Sequence, residues 1–402
     1  MLIKSANIVL KDSVFQGDLR VEEGVIKKID VDIKPFKDEK IVNANSKYLL
    51  PKLVDTNVRL LDDTLNEKNL NDLLQIAKIA GVGRFVLIDD FTPRIENSTQ
   101  LELLNGTINS KKDDVKVTIS VNSVGKEKRL NNLATFLNRG AEVIYSRSDI
   151  DGNLLVRVMQ YADMKKVPIF CFCEDSSIKN RGVVNEGELS FQLGLPGISK
   201  IAEISEVSKI VELATFFDVE VLFQGISTSK SIQILRAVKK TNKKVYTEVP
   251  IHNLLLNETA CDDFNTKAKL ISPLREESER LKMIERLKKG DIDVITSSHS
   301  PKSYIYKDVA FEEARDGVES LEMTLKLGYS YLIKEDIVSF CDFVNMTCIT
   351  PAKILGFDNE IKEGNMADLI LFDPAYKTIV KDESSLYFNK EIYGKIYDIK
   401  GE

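Results

Sequence analysis

Residues 50–60 read Leu50-Pro51-Lys52-Leu53-Val54-Asp55-Thr56-Asn57-Val58-Arg59-Leu60. An apolar strand follows the proline and ends in alternating polar side chains. Successive side chains of a strand point to opposite faces, so Asn57 and Arg59 share one face at the end of this strand. The rest of the chain decides whether that face belongs to a functional site.

Seven further β-rich runs follow the first one along the chain. They cover residues 84–90, 115–122, 141–146, 168–174, 220–227, 244–251 and 292–299. Amphipathic helical stretches separate most of them; in residues 66–80, for example, apolar side chains recur near the 3.6-residue period. Eight strand–helix units over about 250 residues predict a (β/α)8 TIM barrel. A doubly wound open sheet is the alternative.

The two ends of the chain predict a second, smaller unit. Residues 1–50 contain short strands and a hairpin signal at Glu23-Gly24, and residues 366–374 form an apolar run closed by Asp-Pro. At 402 residues the chain exceeds the size at which one hydrophobic core stops growing. We therefore expect a composite small β-sandwich domain from residues 1–50 and 355–402, and a barrel from residues 51–354.

Composition excludes several classes of partner. The formal net charge is −6, with acids and bases interspersed, which argues against nucleic acid or an anionic membrane surface. The sequence contains no uncharged apolar window long enough for a membrane span, and its start lacks the long apolar core of a signal peptide. An odd number of cysteines, 5, without a disulfide framework predicts a reducing, cytoplasmic setting.

Residues that could hold a metal are scarce. The chain has only 2 histidines, His252 and His299, whereas a metal-dependent hydrolase normally brings three or more imidazoles or carboxylates to its ion. Cys171-Phe172-Cys173 could be half of a soft-metal site, but no second Cys or His pair follows at a suitable spacing. We interpret these cysteines as small residues of a buried strand.

Several short pieces, taken in their order and spacing, give the chain a resemblance to dihydroorotases and related cyclic amidohydrolases. The resemblance spans almost the whole length of the chain. The pieces are Pro51-Lys52-Leu53-Val54-Asp55, Cys173-Glu174-Asp175, Gly194-Leu195-Pro196-Gly197-Ile198, Ala202-Glu203, Ile226-Ser227-Thr228, Glu248-Val249, His252-Asn253-Leu254-Leu255-Leu256, Ser272-Pro273-Leu274-Arg275, Pro351-Ala352-Lys353-Ile354-Leu355-Gly356 and residues 364–374.

The resemblance implies a zinc site at the C-terminal ends of the barrel strands. In the family, two histidines on strand 1, one each on strands 5 and 6 and an aspartate on strand 8 hold the metal. A carboxylated lysine or an aspartate on strand 4 bridges in some members. The corresponding positions here hold Asn57, Arg59, Phe172, Gly225 and Ser298. On strand 4 the register stays open between Arg147 and Asp151.

The substrate-holding positions implied by the family also differ. The family arginine past strand 1 is Leu61, the asparagine after strand 2 falls at Asp90, and the histidine after strand 8 is Lys302. His252, His299 and Asn265 remain. An arginine cannot deprotonate to bind a metal, and phenylalanine has no lone pair to offer. We therefore expect no metal site and no zinc, although zinc is the family's cofactor.

The sequence thus predicts a catalytically inactive dihydroorotase homologue of pyrimidine biosynthesis. The resemblance implies its partner, because inactive members of the family assemble with aspartate carbamoyltransferase; a homodimer is a further expectation. Arg59 is expected to replace the charge of the metal and to pair with Asp55, Asp90 or Glu174.

Two other functions stay open. The chain could be an active cyclic amidohydrolase with a rearranged site of His252, His299, Asp90 and Glu174. A serine nucleophile at Ser298 beside His299 is less favoured, because neighbours on a strand point to opposite faces. The second alternative is a protein that binds an anionic pyrimidine precursor through Arg59 and Lys302, with Asp90 and Asn265 nearby.

Overall fold

The computed structural model describes residues 1–111 and 114–399. In that part of the chain the strands β1 to β17 are, in order, Leu2–Val9, Val14–Glu22, Val25–Asp30, Ile41–Asn43, Tyr48–Pro51, Leu53–Val58, Val82–Leu87, Lys116–Asn122, Val143–Arg147, Ile169–Phe172, Val184–Asn185, Gly197–Ile198, Val221–Gln224, Val245–Pro250, Val294–Thr296, Leu369–Ile379 and Glu391–Asp398.

The helices α1 to α14 lie mostly between the barrel strands and after them. They are Glu67–Ile79, Ser98–Ser110, Leu133–Asn138, Gly152–Lys165, Ser176–Lys179, Glu188–Leu193, Ile201–Phe216, Ser229–Lys239, Ile251–Leu255, Glu277–Lys288, Tyr304–Lys307, Thr324–Gly328, Phe340–Val344 and Thr350–Ile354. Short 3-10 turns occupy Leu61–Asp63, Glu258–Phe264, Thr266–Ala268 and Leu321–Met323, and π turns occupy Tyr329–Ile333 and Asn345–Ile349. No helix in the described part is both long and apolar enough to traverse a bilayer.

Eight parallel strands form the barrel. Their order in the sheet is β6-β7-β8-β9-β10-β13-β14-β15. A parallel bridge between Val58 and His299 closes the sheet, and the backbone N–H of Arg59 donates to the carbonyl of His299 at 2.8 Å. The predicted TIM barrel is confirmed, and the doubly wound alternative is wrong because the first and last strands meet.

Two apolar layers hold the barrel together. Tyr145, Phe170, Phe172 and Leu222 are among the side chains of the inner cluster. Helices cover the outside; on α1 the buried side chains recur at Leu70, Leu73, Leu74 and Ala77, as the 3.6-residue period predicts. Each fully buried leucine contributes about 2 kcal/mol of hydrophobic stabilisation.

Both chain ends build the small β domain. Strand pairing joins β17-β16-β5-β1-β2-β3 in one sheet, and β4 pairs with the first residues of β1. The hairpin predicted at Glu23-Gly24 joins β2 to β3. β5 ends at Pro51 and the first barrel strand begins at Leu53, so the first connection between the two units is one residue long. The chain returns to the small domain between α14 and β16. Residues 400–402 of the predicted domain lie outside the described residues.

Candidate functional site

Strand β6 brings Asn57 and Arg59 to the mouth of the barrel. The Asn57 side chain accepts from Arg59 Nη1 at 2.6 Å and donates to Glu248 at 2.8 Å. Arg59 is only 4% exposed, and its Nε lies 3.7 Å from a carboxylate oxygen of Asp90. Of the three acids expected around Arg59, Asp90 is therefore the one that faces its charge.

The strand 5 and strand 6 positions leave no room for a metal ligand. A Cβ atom placed on Gly225 would lie 2.5 Å from Ser272 Oγ and 3.0 Å from the ring of Phe172. Gly225 also has a φ of +65°, a backbone conformation that residues other than glycine rarely adopt. Phe172 and Ser272 thus occupy the space that a strand 6 histidine would need.

The two candidates for the bridging position on strand 4, Arg147 and Asp151, lie in different surroundings. Arg147 ends β9 at the barrel mouth, 5.2 Å from the centre of the Phe172 ring, and pairs with Asp149 and Glu174 at 3.2 Å each. Asp151 instead caps the first turn of α4, where its carboxylate accepts from the backbone N–H groups of residues 153 and 154. A guanidinium therefore stands at the mouth on strand 4 as well.

These residues do not fit a zinc ion. Among the described residues, no group of three His, Cys, Asp or Glu side chains is placed to hold a metal. Two guanidinium groups, Arg59 and Arg147, would repel a cation, and neither can deprotonate to bind one. Ser298, at the strand 8 position, has a left-handed φ of +50° and lacks the carboxylate of a general base.

A buried glutamate, which sequence reasoning missed as a site residue, organises the floor of the mouth. Glu248 on β14 accepts from Thr56 Oγ1 at 2.6 Å, from Asn57 at 2.8 Å and from the N–H of Gly225 at 3.3 Å. The pKa of Glu248 is raised to about 7, mainly by burial and to a smaller extent by the charge of Asp55, while the hydrogen bonds from Thr56 and Asn57 act in the opposite direction. The sequence does contain a signal for this site residue, an acidic side chain within a mostly apolar strand.

Both histidines are buried and neutral. His252 Nδ1 accepts from the hydroxyl of Tyr387 at 2.7 Å, and Nε2 donates to the carbonyl of Ser297 at 3.0 Å, a tautomer assigned from these partners. His299 Nδ1 accepts from the N–H groups of Ser320 and Leu321 at 3.2 Å each. Burial lowers the pKa of His252 to about 4 and that of His299 to about 3.

The rearranged hydrolase site is not assembled. Glu174 pairs with Arg147 and with Lys179, at 3.2 and 3.0 Å. Asp90 lies beside Arg59, and each histidine serves the contacts given above. Within residues 1–111 and 114–399, no hydrogen bond or ion pair joins any two of His252, His299, Asp90 and Glu174.

The two remaining ligand-binding candidates, Asn265 and Lys302, already bind other groups of the protein. Asn265 accepts from the N–H of Lys267 at 3.3 Å and donates to the carbonyl of Ala260 at 2.9 Å, so its side chain holds its own loop. Lys302, with a side chain 2% exposed, pairs with Asp63 at 2.7 Å. Burial is the main cause that lowers the pKa of Lys302, and Arg59 adds to it, so the two cations lie in one region of the mouth.

Comparison with known proteins assigns the family. Residues 194–396 match the amidohydrolase family, which is half of the chain, so the chain belongs to that family. Among curated relatives, the dihydroorotase of Acetivibrio thermocellus is 29% identical over 414 residues, covering 99% of this chain and 96% of the relative. A probable dihydroorotase-like protein of Helicobacter pylori is 25% identical over 397 residues, covering 98% and 95%.

Solved structures show the same fold. The L-hydantoinase (dihydropyrimidinase) from Arthrobacter aurescens has a TM-score of 0.86 at 17% identity, covering 98% of this chain and 93% of that one. The D-hydantoinase from Thermus sp. has a TM-score of 0.82 at 18% identity, covering 98% and 92%. At such identities the likeness concerns the fold alone.

Proposed function

We propose that this chain is a non-catalytic homologue of dihydroorotases that assembles with aspartate carbamoyltransferase and supports its activity or stability. The filled mouth of the barrel is the observation that supports the first part of this proposal, the absence of catalysis. Phe172 and Ser272 close the space at Gly225, and Arg59, at a position where the resemblance implies a metal ligand, faces Asp90 with its charge. A metal-activated water needs imidazole or carboxylate ligands and an open coordination position, which these residues do not supply.

The chemistry of the general base supports the same proposal. The strand 8 position holds Ser298, whose hydroxyl cannot take up a proton as a carboxylate does. The nearest imidazole along the chain, His299, is buried and has its Nδ1 occupied by two backbone N–H groups. A cyclic amide at this mouth would meet neither a metal-activated water nor a general base at the strand 8 position.

The second half of the proposal rests on the family resemblance together with the surface of the barrel. The barrel closes and both its apolar layers are filled, so the outer helices can present an interface although the mouth lacks the family's chemistry. Two large apolar side chains outside the barrel sheet are strongly exposed: Phe216 on the outer helix α7 at 81%, and Phe191 on α6, which lies between β11 and β12, at 88%. Aromatic side chains are enriched in protein interfaces, so these two positions are where the proposed interface is tested.

The test combines three measurements on the purified full-length chain. We expect no bound zinc by elemental analysis, no hydrolysis of dihydroorotate, and co-elution with the aspartate carbamoyltransferase of the same organism. Light scattering on the chain alone distinguishes a homodimer. Phe216→Asp and Phe191→Asp test the interface, with Val31→Asp, an exposed position in the small domain, as the matched control. Turnover together with stoichiometric zinc would instead establish the active amidohydrolase.

One observation favours a second candidate, the binding of an anionic pyrimidine precursor at the mouth. Arg59 Nε is buried and has no hydrogen-bond acceptor, whereas guanidinium groups normally use their donors in pairs on a carboxylate. Dihydroorotate or carbamoyl aspartate would then raise the melting temperature of the wild-type chain, and Arg59→Met would remove the effect. The scaffold proposal expects no shift with either compound.

A further inference from the structure

The end of the barrel opposite the mouth carries the C-terminal ends of its outer helices. A helix that connects two parallel strands runs antiparallel to them, so it ends where the next strand begins. This holds for α4, α7, α8 and α10, which precede β10, β13, β14 and β15. Because α4 contacts α7, α7 contacts α8 and α8 contacts α10, their ends form one continuous surface. We call it the basal arc; it comprises residues 163–166, 216–218, 236–244 and 285–293.

Ion pairs join neighbouring parts of the basal arc. Lys244 donates to the carboxylate of Asp218 at 2.6 Å, which ties the segment before β14 to the end of α7. Arg236 and Arg286 approach the carboxylate of Asp291 at 3.1 and 3.4 Å, which ties α8 to the end of α10. Lys166 and Lys239 pair in the same way with the two remaining aspartates of the arc, Asp163 and Asp293. The aspartates of the arc are therefore compensated by its own cations.

Four exposed lysines of the basal arc are left without an acid. Within residues 1–111 and 114–399, no ion pair reaches Lys240, Lys243, Lys288 or Lys289. The helix dipole favours cations at the ends of α8 and α10, but Lys243 lies in the turn beyond α8 and has no such reason. Glu285, in the last turn of α10, is the acid that remains beside them in the arc. The arc is thus locally cationic on a chain whose formal net charge is −6.

Two large apolar side chains are exposed in the same arc. Phe216, the last residue of α7, is 81% exposed, and Met164, one residue before the end of α4, is 58% exposed. The groove between these two helices is lined mainly by apolar groups, with Leu155 and Leu213 beside Phe216. A molecule that covers the arc therefore meets an apolar area at α4 and α7 and unpaired lysines at α8 and α10.

This combination is typical of a protein interface, in which an apolar centre adjoins a polar or charged rim. Nucleic acids are recognised by long basic stripes that follow the phosphates. Here the carboxylates of Asp218 and Asp291 lie among the lysines and would repel a phosphate backbone. We propose that the basal arc binds an acidic surface of a protein partner, with an apolar side chain of the partner against Phe216. The docking face so assigned rests on the assembly with aspartate carbamoyltransferase proposed above.

The test measures the affinity of the full-length chain for the aspartate carbamoyltransferase of the same organism by biolayer interferometry. The charge-reversed variant combines Lys240→Glu, Lys243→Glu, Lys288→Glu and Lys289→Glu. Its matched control makes the same change of charge at exposed lysines outside the arc, with Lys27→Glu, Lys37→Glu, Lys68→Glu and Lys128→Glu. We expect the first to bind at least about tenfold more weakly than the wild type, and the control to stay within about twofold.

Ionic strength and two aromatic positions sharpen the assignment. Raising the ionic strength from about 50 to about 300 mM should weaken the wild-type complex and change that of the charge-reversed variant little, because the salt screens the lysines. Phe216→Asp should weaken binding at least about tenfold. Phe191→Asp should leave it unchanged, because α6 lies in the segment between β10 and α7, on the mouth side of the barrel.

The outcomes separate the docking face from the assembly itself. Equal affinities of the charge-reversed variant and the wild type, an equal loss in the control, or a loss with Phe191→Asp alone would overturn the docking face and leave the assembly standing. A wild-type chain that does not bind the carbamoyltransferase would overturn both. Tighter binding of a labelled oligonucleotide than of the carbamoyltransferase, abolished by the charge reversal, would overturn the assignment to an acidic protein.

Discussion

Glu248 should make the stability of the barrel depend on pH, and Glu248→Gln isolates its contribution. The carboxylate lies under the mouth and receives donors from Thr56, Asn57 and Gly225. Its pKa is raised from 4.5 to about 7, mainly by burial, so the fold favours the protonated acid. The substitution keeps the shape of the side chain and removes its charge, and the hydroxyl of Thr56 can reverse to accept from the new amide.

The magnitude follows from the size of the pKa shift. A rise from 4.5 to about 7 corresponds to about 3 kcal/mol at about 1.4 kcal/mol per pKa unit. Because the folded pKa is raised, the stability linked to Glu248 is complete below pH 4.5 and is lost as the pH rises to about 7. The free energy of unfolding of Glu248→Gln, minus that of the wild type, should therefore grow by about 3 kcal/mol across this window.

The assay is urea unfolding of both proteins at several pH values from 4.5 to 8.5. Only the difference in unfolding free energy between the two proteins is used, because His252 and His299 make the stability of both proteins depend on pH in the opposite direction. Their pKa values are lowered, so their contribution is present above the unfolded value of 6.5 and is lost as the pH falls. Glu212→Gln, an exposed position on α7, is the control. A difference that stays constant with pH would refute the reasoning.

Two more substitutions test the packing of the site. Gly225→Ala should lower the free energy of unfolding by about 2–4 kcal/mol, because the new Cβ would lie 2.5 Å from Ser272 Oγ. The control is Gly194→Ala, which has a similar φ of +67° but open space around it and should lose only about 1 kcal/mol. Equal losses in the two variants would contradict the filled mouth. Tyr387→Phe should lose about 1–3 kcal/mol, since it leaves His252 Nδ1 without its donor; the exposed Tyr376→Phe serves as control, and chemical denaturation measures both pairs.

The barrel could be predicted from the sequence because its signals are local. Each β-rich run and each helical period lies within about 15 residues, and the strand ends then follow from the topology. The same reasoning placed Asn57, Arg59, Phe172, Gly225 and Ser298 at one mouth once the family resemblance supplied the register. On strand 4, where no motif fixes the register, the sequence leaves the bridging position open between Arg147 and Asp151.

The contacts that fill the mouth could not be predicted, because they join residues far apart in the chain. Glu248 meets Asn57 from 191 positions away, and Tyr387 reaches His252 across 135 positions. Ser272 closes the space at Gly225 from a loop that no periodic pattern locates. The pairing of Arg59 with Asp90 was one of three combinations that the sequence allowed, and only the geometry of the strand ends selects it.

The proposed non-catalytic role depends most directly on the absence of a family-type metal centre. The decisive measurement is the zinc content of the purified chain by elemental analysis, after exposure to zinc and removal of unbound metal. The account predicts substoichiometric zinc, with no hydrolysis of dihydroorotate by the same sample. One or two tightly held zinc ions per chain, lost on chelation together with hydrolytic activity, would contradict it.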